Sequence, residues 1–454
     1  MFGFITQMAE FINFHHLHPF VIFFLLTWGV FGLRIALALR NKQIIDLPEY
    51  DKTAHTTSAI VFTFHDDPDL LKESLISIKA QQTPFTEVIV ACDPDETEDR
   101  KAIIAASGFI ISEDANGNKR DSFATALAIA KGDIVVHLAG DTIYPADMNT
   151  QAMVAFASDA KIGAVAFRQT IFDHKRNLIR RFANIMYGLR FRITYPALSS
   201  QKSLLCVTGE TGYFLRAPIE KHMDEFLNDR FMGRRCLIGD DRFLTSMVLK
   251  EGYSVIVQNS AQGVVLTDCP NTFSGFVRQQ LRWYRSNQRY SIKTIFGWIP
   301  GRPFLKTHLI AFMVLPYFWL GLIVWWLVSV QFSLYPIQTL ANIPGTVILT
   351  AAIVGFFAAF LVKTAPHFWK HKEDYLVFIP YVIFSTFVIL PVFVYALLTV
   401  GNQGAWGTKR GGGPSSKIRS GATLGLLSLA LVIAIPLLLI EVIAPHETLA
   451  AGLD

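Results

Sequence analysis

None of the four cysteines, Cys92, Cys206, Cys236 and Cys269, forms a CxxC pair. That spacing argues against both a structural zinc knuckle and a disulfide framework. All four lie in the middle of the chain, which fits a reducing cytosol. Neither GxGxxG nor GxxxxGK[ST] occurs, so neither a dinucleotide fold nor a P-loop is indicated. Charge is scarce: Asp, Glu, Lys and Arg make up 17% of the chain, and the C-terminal third carries few of them. The net charge of +5 is not accompanied by zinc-finger spacing or a basic–aromatic patch. Nucleic acid is therefore not among the expected partners. Membrane-surface and phosphate contacts account for the basic balance more simply. What the chain does contain is apolar mass, 52% hydrophobic with 37 Phe over 454 residues. That is too apolar for a purely soluble enzyme and too long for one ordinary core.

Four stretches are long enough to cross a bilayer, which takes about 20 apolar residues. They are roughly 19–39, 308–331, 343–363 and 421–444. A fifth apolar stretch, 375–400, conflicts with the distribution of positive charge. No Lys or Arg precedes residue 19, whereas Arg40 and Lys42 follow the first span. The N-terminus is thus expected outside and 40–307 inside. The uncharged 332–342 suits the outside, and Lys363, Lys370 and Lys372 return the chain to the inside. Because Lys409, Arg410, Lys417 and Arg419 are also expected inside, 375–400 reads as an interfacial or re-entrant element. Pro380 and Pro391 would break a continuous helix there. The alternative is a plain fifth span followed by an external basic loop. The first apolar stretch lacks a basic n-region and a cleavage site, so it reads as an uncleaved anchor.

Between Ser58 and Gly252, β-branched runs alternate with helical patterns. Residues 59–62, 88–91 and 134–136 read as buried parallel strands, with helices over 69–81 and 122–131 between them. That alternation specifies an α/β fold with a doubly wound sheet, whose ligands bind beyond the carboxyl ends of the strands. The first strand runs into Phe64, His65, Asp66 and Asp67, and the second into Cys92, Asp93, Pro94 and Asp95. The third runs into His137, Leu138, Ala139, Gly140 and Asp141. Each acid alone reads as a turn or helix cap; three at successive strand ends suggest one rim. A divalent cation on carboxylates, helped by Lys119 and Arg120 ahead of a helix, would serve a phosphate ligand. Asp240 and Asp241 after Gly239 suit a general base beside a second negative charge, or else a helix N-cap. Gln279, Arg282 and Trp283 combine a phosphate fork with a stacking face for a sugar ring. The surrounding 285–300 also reads as an amphipathic interfacial helix with snorkelling Arg.

The run from Phe231 to Thr245, FxGxxCxxGDDRxLT, followed by QQxRW at 279–283 and Trp406-Gly407-Thr408, keeps its order and spacing. Over residues 55–445 the chain resembles the processive family 2 glycosyltransferases, particularly the hyaluronan synthase branch, and also chito-oligosaccharide and chitin synthases. The resemblance implies a GT-A-like doubly wound domain in the cytosol, fused to transmembrane and interfacial helices. The implied boundaries are an N-terminal anchor over 1–45, a GT-A domain over 46–270 and interfacial helices with QxxRW over 271–307. A C-terminal membrane region over 308–454 would contain 375–400 and a loop over 401–420.

By the same resemblance Asp93 contacts the nucleotide base, while Lys119 and Arg120 face the diphosphate; Phe64 and Asp66 belong to the same nucleotide-sugar site. Asp141, the second acid of a DxD motif, binds Mg²⁺ or Mn²⁺. Asp241 is the catalytic base beside Asp240. Gln279 and Arg282 hold the diphosphate, while Trp283, Gly209, Glu210, Trp406, Gly407 and Thr408 line the acceptor and channel. The implied partners are a UDP-linked nucleotide sugar, the growing polysaccharide and the lipid bilayer. The chain departs from the pattern at Ala139, where the first DxD aspartate belongs, at Asn118 in place of Gly, and in the Thr208–Tyr213 strip. The competing readings are synthesis of another polymer (chitin-like or mannuronan-like), a lipid-directed transferase adding one sugar, and a non-catalytic scaffold.

Overall fold

The computed structural model describes residues 19–41, 44–45, 49, 55–93, 95–113, 118–332 and 345–402. The chain divides into two compact units. One comprises 1–33, 310–358 and 415–454; the other comprises 34–309 and 359–414. Three of the expected spans are helical, over Pro19–Arg40, Pro303–Phe332 and Gly345–Phe368. The fourth, 421–444, lies outside the described residues, as does the 403–420 part of the loop with Trp406, Gly407 and Thr408.

Among the described residues the second unit holds twelve strands. They are β1 (Thr57–Thr63), β2 (Glu87–Cys92), β3 (Ile110–Glu113), β4 (Ile134–Ala139), β5 (Thr142–Ile143) and β6 (Ile162–Phe167), followed by β7 (Gln169–Ile171), β8 (Thr211–Leu215), β9 (Arg230–Phe231), β10 (Arg234–Arg235), β11 (Ser254–Gln258) and β12 (Val265–Thr267). Seven of them form one sheet in the order β11-β6-β8-β4-β1-β2-β3. Every residue of β1 and of β6 is buried, which is why these strands read as unbroken apolar runs rather than alternating ones. Side chains of opposite parity supply two cores: Ile60, Phe62 and Ile89 join one, Ala59, Val61 and Val90 the other. The three strands and two helices expected between 59 and 136 are all present within a few residues.

The sheet is not wholly parallel. β1 pairs in parallel with β2 and β4, and β6 with β11. β8, however, runs antiparallel to both β4 and β6. Its pairing sets Thr211 opposite Leu138, so the residues before β8 arrive at the rim reached by the carboxyl end of β4. The parallel register keeps the other ends level, with Phe62 opposite both Ala91 and Ala139.

Among the helices that follow the sheet, two pack against each other. Phe273–Ile295 is one helix of 23 residues, capped by Thr272, whose hydroxyl accepts from the Gly275 amide at 3.2 Å. Residues 372–398 form a continuous helical run: a 3₁₀ turn (Lys372–Val377), an α segment, a π turn (Ser385–Ile389) and a final α segment. Pro380 and Pro391 therefore do not break it, contrary to the expectation. The 3₁₀ and π turns tighten or widen the helix beside each proline and absorb the missing N–H bonds. Among the described residues this is a helix long and apolar enough to cross a membrane by length and composition.

Candidate active site

The turn after β1 is pinned by the segment that leaves β2. His65, at φ 49, donates its amide to Glu96 at 3.0 Å, and Arg100 donates Nε to the Asp66 carbonyl at 2.6 Å. The Asp66 side chain accepts from the Phe64 amide at 3.2 Å, and Phe64 is buried. A Cβ at Gly140 would lie 2.8 Å from Asp66 Oδ2. Glycine there lets the β4 turn, with Asp141, close against Asp66. Asp93 accepts from the Asp95 amide at 3.0 Å, an Asx turn that holds its carboxylate at the end of β2. Asp67, by contrast, caps the Pro68–Lys79 helix by accepting from the amides of Asp69 and Leu70, as the cap reading expects. Ala139 supplies no carboxylate; the buried Tyr144 hydroxyl bonds its amide and its carbonyl instead.

Asp240 and Asp241 open the Asp240–Lys250 helix, but neither is its N-cap; Gly239, at φ 93, occupies that position. A Cβ on Gly239 would lie 2.7 Å from the Tyr290 ring and closer still to Ser286. Both the positive φ and the close approach to the Phe273–Ile295 helix demand glycine. Asp240 is buried between Lys119 Nζ at 3.1 Å and His137 Nε2 at 3.3 Å. Burial by itself would raise its pKa, but Lys119 and His137 outweigh burial and hold the carboxyl well below the usual carboxylate range. The two acids are therefore not a pair of unmatched charges: the Lys119 ammonium balances Asp240, and His137 packs against the same oxygen. Asp241 is half-buried; one oxygen accepts from its neighbour's amide at 2.8 Å and the other from the Cys206 thiol at 3.2 Å.

Gly209 closes the same corner. Its carbonyl meets His137 Nδ1, and a Cβ there would lie 3.1 Å from His137 and 3.2 Å from Lys119. Glu210 follows at the head of β8. Burial first, then the neighbouring Asp241 and Asp141 charges, raise its pKa. Arg282 is opposed by all four acids: burial lowers its pKa, while Asp240, Glu210, Asp241 and Asp141 push back. Arg282 Nε and Gln279 Oε1 are both buried without a hydrogen-bond partner. Trp283 packs 6.4 Å from the Tyr187 ring beneath the Arg190 guanidinium, 5.6 Å away.

Two expected placements fail. Arg120 does not reach the rim. It is fully buried, donating to the Phe226 carbonyl at 2.6 Å, to Tyr290 at 2.6 Å and to Asp229 at 3.2 Å. Lys119 and Arg120 open the Lys119–Ile129 helix instead of preceding it, so consecutive side chains point about 100° apart and only Lys119 faces the acids. The polar residues of 285–294 do not snorkel either. Ser286, Gln288, Arg289 and Thr294 are buried. Arg285 bonds Thr399 at 2.9 Å, and Gln288 bonds the Phe393 carbonyl at 2.8 Å.

His137 and Cys206 join the site without having been expected in it. His137 stacks on Phe62 at 4.4 Å and is 1% exposed. The signal for it was a lone ionisable residue within the apolar run of β4. Nothing in the local sequence marked Cys206.

The family described as "Glycosyltransferase like family 2" matches residues 55–286, a little over half of the chain. A hyaluronan synthase of Streptococcus pyogenes is 24% identical over 410 residues, covering 85% of this chain and 91% of its own. An N-acetylglucosaminyltransferase of Rhizobium meliloti is 26% identical over 376 residues, covering 81% and 83%. Among solved structures, a mannosyltransferase from Pyrobaculum calidifontis, in complex with GDP-Man and Mn²⁺, aligns with a TM-score of 0.55 at 18% identity. It covers 84% of this chain and 99% of its own, a likeness in GT-A fold. With the matched region spanning the carboxylate rim, GDD and QxxRW, the chain belongs to glycosyltransferase family 2.

Proposed function

We propose that this glycosyltransferase is a processive, inverting synthase. It polymerises nucleotide sugars, UDP-linked as for hyaluronan synthase, into a β-linked polysaccharide on the inner face of a membrane and passes the chain outward. The observation that carries the chemistry is the corner where Asp241 lies beside the Lys119–Asp240–His137 cluster, with the buried Arg282 in the field of Asp240, Glu210, Asp241 and Asp141. Asp241 accepts the proton of the acceptor hydroxyl. The hydroxyl oxygen bonds to the anomeric carbon as that carbon's bond to the diphosphate oxygen breaks, so one displacement inverts the centre. Arg282, Gln279 and Lys119 receive the leaving diphosphate, and Asp93 and Asp66 take the nucleoside side of the rim. The donor set suits a hard divalent cation, Mg²⁺ or Mn²⁺. Asp141 offers a carboxylate, and Glu210 is a carboxyl crowded by two others. Bound there, the cation would offset charge on the diphosphate.

Membrane attachment is supported by the 372–398 helix. Tyr381, Val382, Phe384 and Phe393 are buried, whereas Leu376, Ile379, Ile383 and Phe387 form an exposed apolar stripe at helical spacing, Leu376 at 92% and Phe387 at 73%. A helix half seated in the catalytic unit and half apolar outward suits the interface better than a lipid-surrounded span. By the family resemblance, Trp406, Gly407 and Thr408 belong to the acceptor path of this reading.

Purified protein supplied with UDP- and GDP-sugars and Mn²⁺ or Mg²⁺ is expected to release nucleoside diphosphate and form a long water-soluble polymer. Asp241→Asn should lower turnover by ~10²–10⁴-fold, the range of general-base catalysis. Unchanged turnover in Asp241→Asn would remove the base assignment. A single sugar on a lipid carrier would replace processive synthesis with the lipid-directed reading.

A further inference from the structure

Away from the carboxylate rim, a second group of potential metal ligands joins two distant parts of the chain. His174 follows β7, and His371 and Glu373 sit where the 372–398 helix begins. One nitrogen of each histidine and one oxygen of Glu373 lie within 4.8 Å of one another. His371 Nδ1 is 3.6 Å and His174 Nε2 is 4.0 Å from Glu373 Oε1. Zinc bonds of about 2.0–2.2 Å in a tetrahedral arrangement place ligand atoms about 3.4 Å apart. The two distances to Glu373 need a contraction of about 0.2 and 0.6 Å, and a spacing at the 4.8 Å limit one of about 1.4 Å.

Three further features suit a bound ion. His174 Nε2 is buried and has no hydrogen-bond partner, so its desolvated nitrogen is left unsatisfied. The turn that carries it is rigid: Arg180, buried, binds the Phe172 and Asp173 carbonyls together with Asp268, the Cys269 carbonyl and Asn271. His371 is oriented by stacking on His367 at 4.6 Å, and His367 is in turn held by Asp374 at 3.0 Å. Three cations stand nearby, of which Arg181 donates to the Glu373 carbonyl at 3.4 Å and pairs with Asp374 at 3.5 Å, leaving the Glu373 carboxylate free of it. Lys175 approaches Glu373 Oε1 at 3.3 Å, but its side chain is 58% exposed, and an exposed pair of this kind costs little to release. Arg192 lies 3.4 Å from His371 Nε2, the nitrogen away from the cluster.

We propose that His174, His371 and Glu373 bind a zinc-class divalent cation, which clips the start of the 372–398 helix to the turn after β7. Two imidazoles and one carboxylate, without thiolate, select Zn²⁺ over Mg²⁺, with water completing the fourth position. The site is independent of the transfer chemistry and of the Asp141 cation.

The test uses full-length, untagged protein in detergent, loaded with Zn²⁺, dialysed against metal-free buffer and assayed for zinc by mass spectrometry. One equivalent per chain is expected in the parent and in Asp141→Asn, and none in His174→Ala or Glu373→Gln. His174 lies on a half-exposed turn, so its variant should remain monodisperse on size exclusion. Zn²⁺ should raise the melting temperature of the parent but not of His174→Ala. Absence of retained zinc in the parent, equal zinc in parent and His174→Ala, or loss of zinc in Asp141→Asn alone would each overturn the proposal.

Discussion

His137 shows how one side chain couples the site to pH. Its ring is buried, and burial, followed by the Lys119 charge, lowers its pKa from 6.5; Asp240 and the Gly209 carbonyl only partly restore it. The folded protein therefore holds this imidazole neutral where the unfolded chain would already protonate it. Stability from that difference is complete above about pH 6.5 and is lost as the pH falls toward the folded-state pKa. Thermal melting should accordingly show a drop in midpoint from about pH 7.5 to about pH 5.5, either side of the ordinary imidazole pKa, that is smaller in His137→Gln than in the parent. An equal drop in both would mean that folding does not disfavour the protonated His137 ring. Among the acids, Asp240 and Asp241 are neighbours in sequence with different surroundings: Asp240 is tied to Lys119 and His137, while Asp241 retains partial exposure and the Cys206 thiol.

At the scale of elements, the active site depends on three helices locked together behind it. Arg120 from the Lys119–Ile129 helix, Tyr290 and Lys293 from the Phe273–Ile295 helix, and Asp229 between them form one buried network. The Arg120 guanidinium is also packed between Phe226 and Phe243, at 4.7 and 5.3 Å; Phe243 belongs to the Asp240–Lys250 helix. Removing Arg120 takes away one of the two cations on Asp229, unpairs the buried Phe226 carbonyl and leaves a cavity between Phe226 and Phe243, so Arg120→Ala should cost about 3–5 kcal/mol. Arg120→Lys should not restore it, because an ammonium cannot reproduce the fork. Denaturant or thermal unfolding of the two variants, together with nucleotide release at low temperature, checks this. Arg120→Ala that unfolds like the parent yet no longer binds donor would return Arg120 to the rim. The register of β8 is the other element-scale device. Running against its neighbours, it delivers Gly209 and Glu210 to acids that arrive from strands of the opposite direction.

At the scale of the whole molecule, outward synthesis requires 40–307 and 401–420 on the same side of the membrane, with 332–342 on the other. In a variant lacking the four native cysteines, a cysteine at position 338 should react with an impermeant maleimide in intact cells. A cysteine at position 410 should react only after permeabilisation. Labelling of position 410 in intact cells would make 372–398 a true span and put the loop beyond it outside.

Much of this protein was legible from order along the chain. Strands 57–63, 87–92 and 134–139, their helices and their acidic ends follow from local apolar runs and caps, because parallel strands buried on both faces carry their own signature. The spacing of GDD and QxxRW likewise marked the family, and the two motifs lie on the Asp240–Lys250 and Phe273–Ile295 helices. What depended on tertiary structure was direction and partnership. Whether Arg120 points to the rim or the core, whether Pro391 breaks a helix, and whether a histidine inside β4 meets Asp240 are set by contacts between residues more than a hundred positions apart in the chain. Such contacts leave no periodicity in the sequence. They arise only when the sheet closes and burial makes every unmatched charge costly.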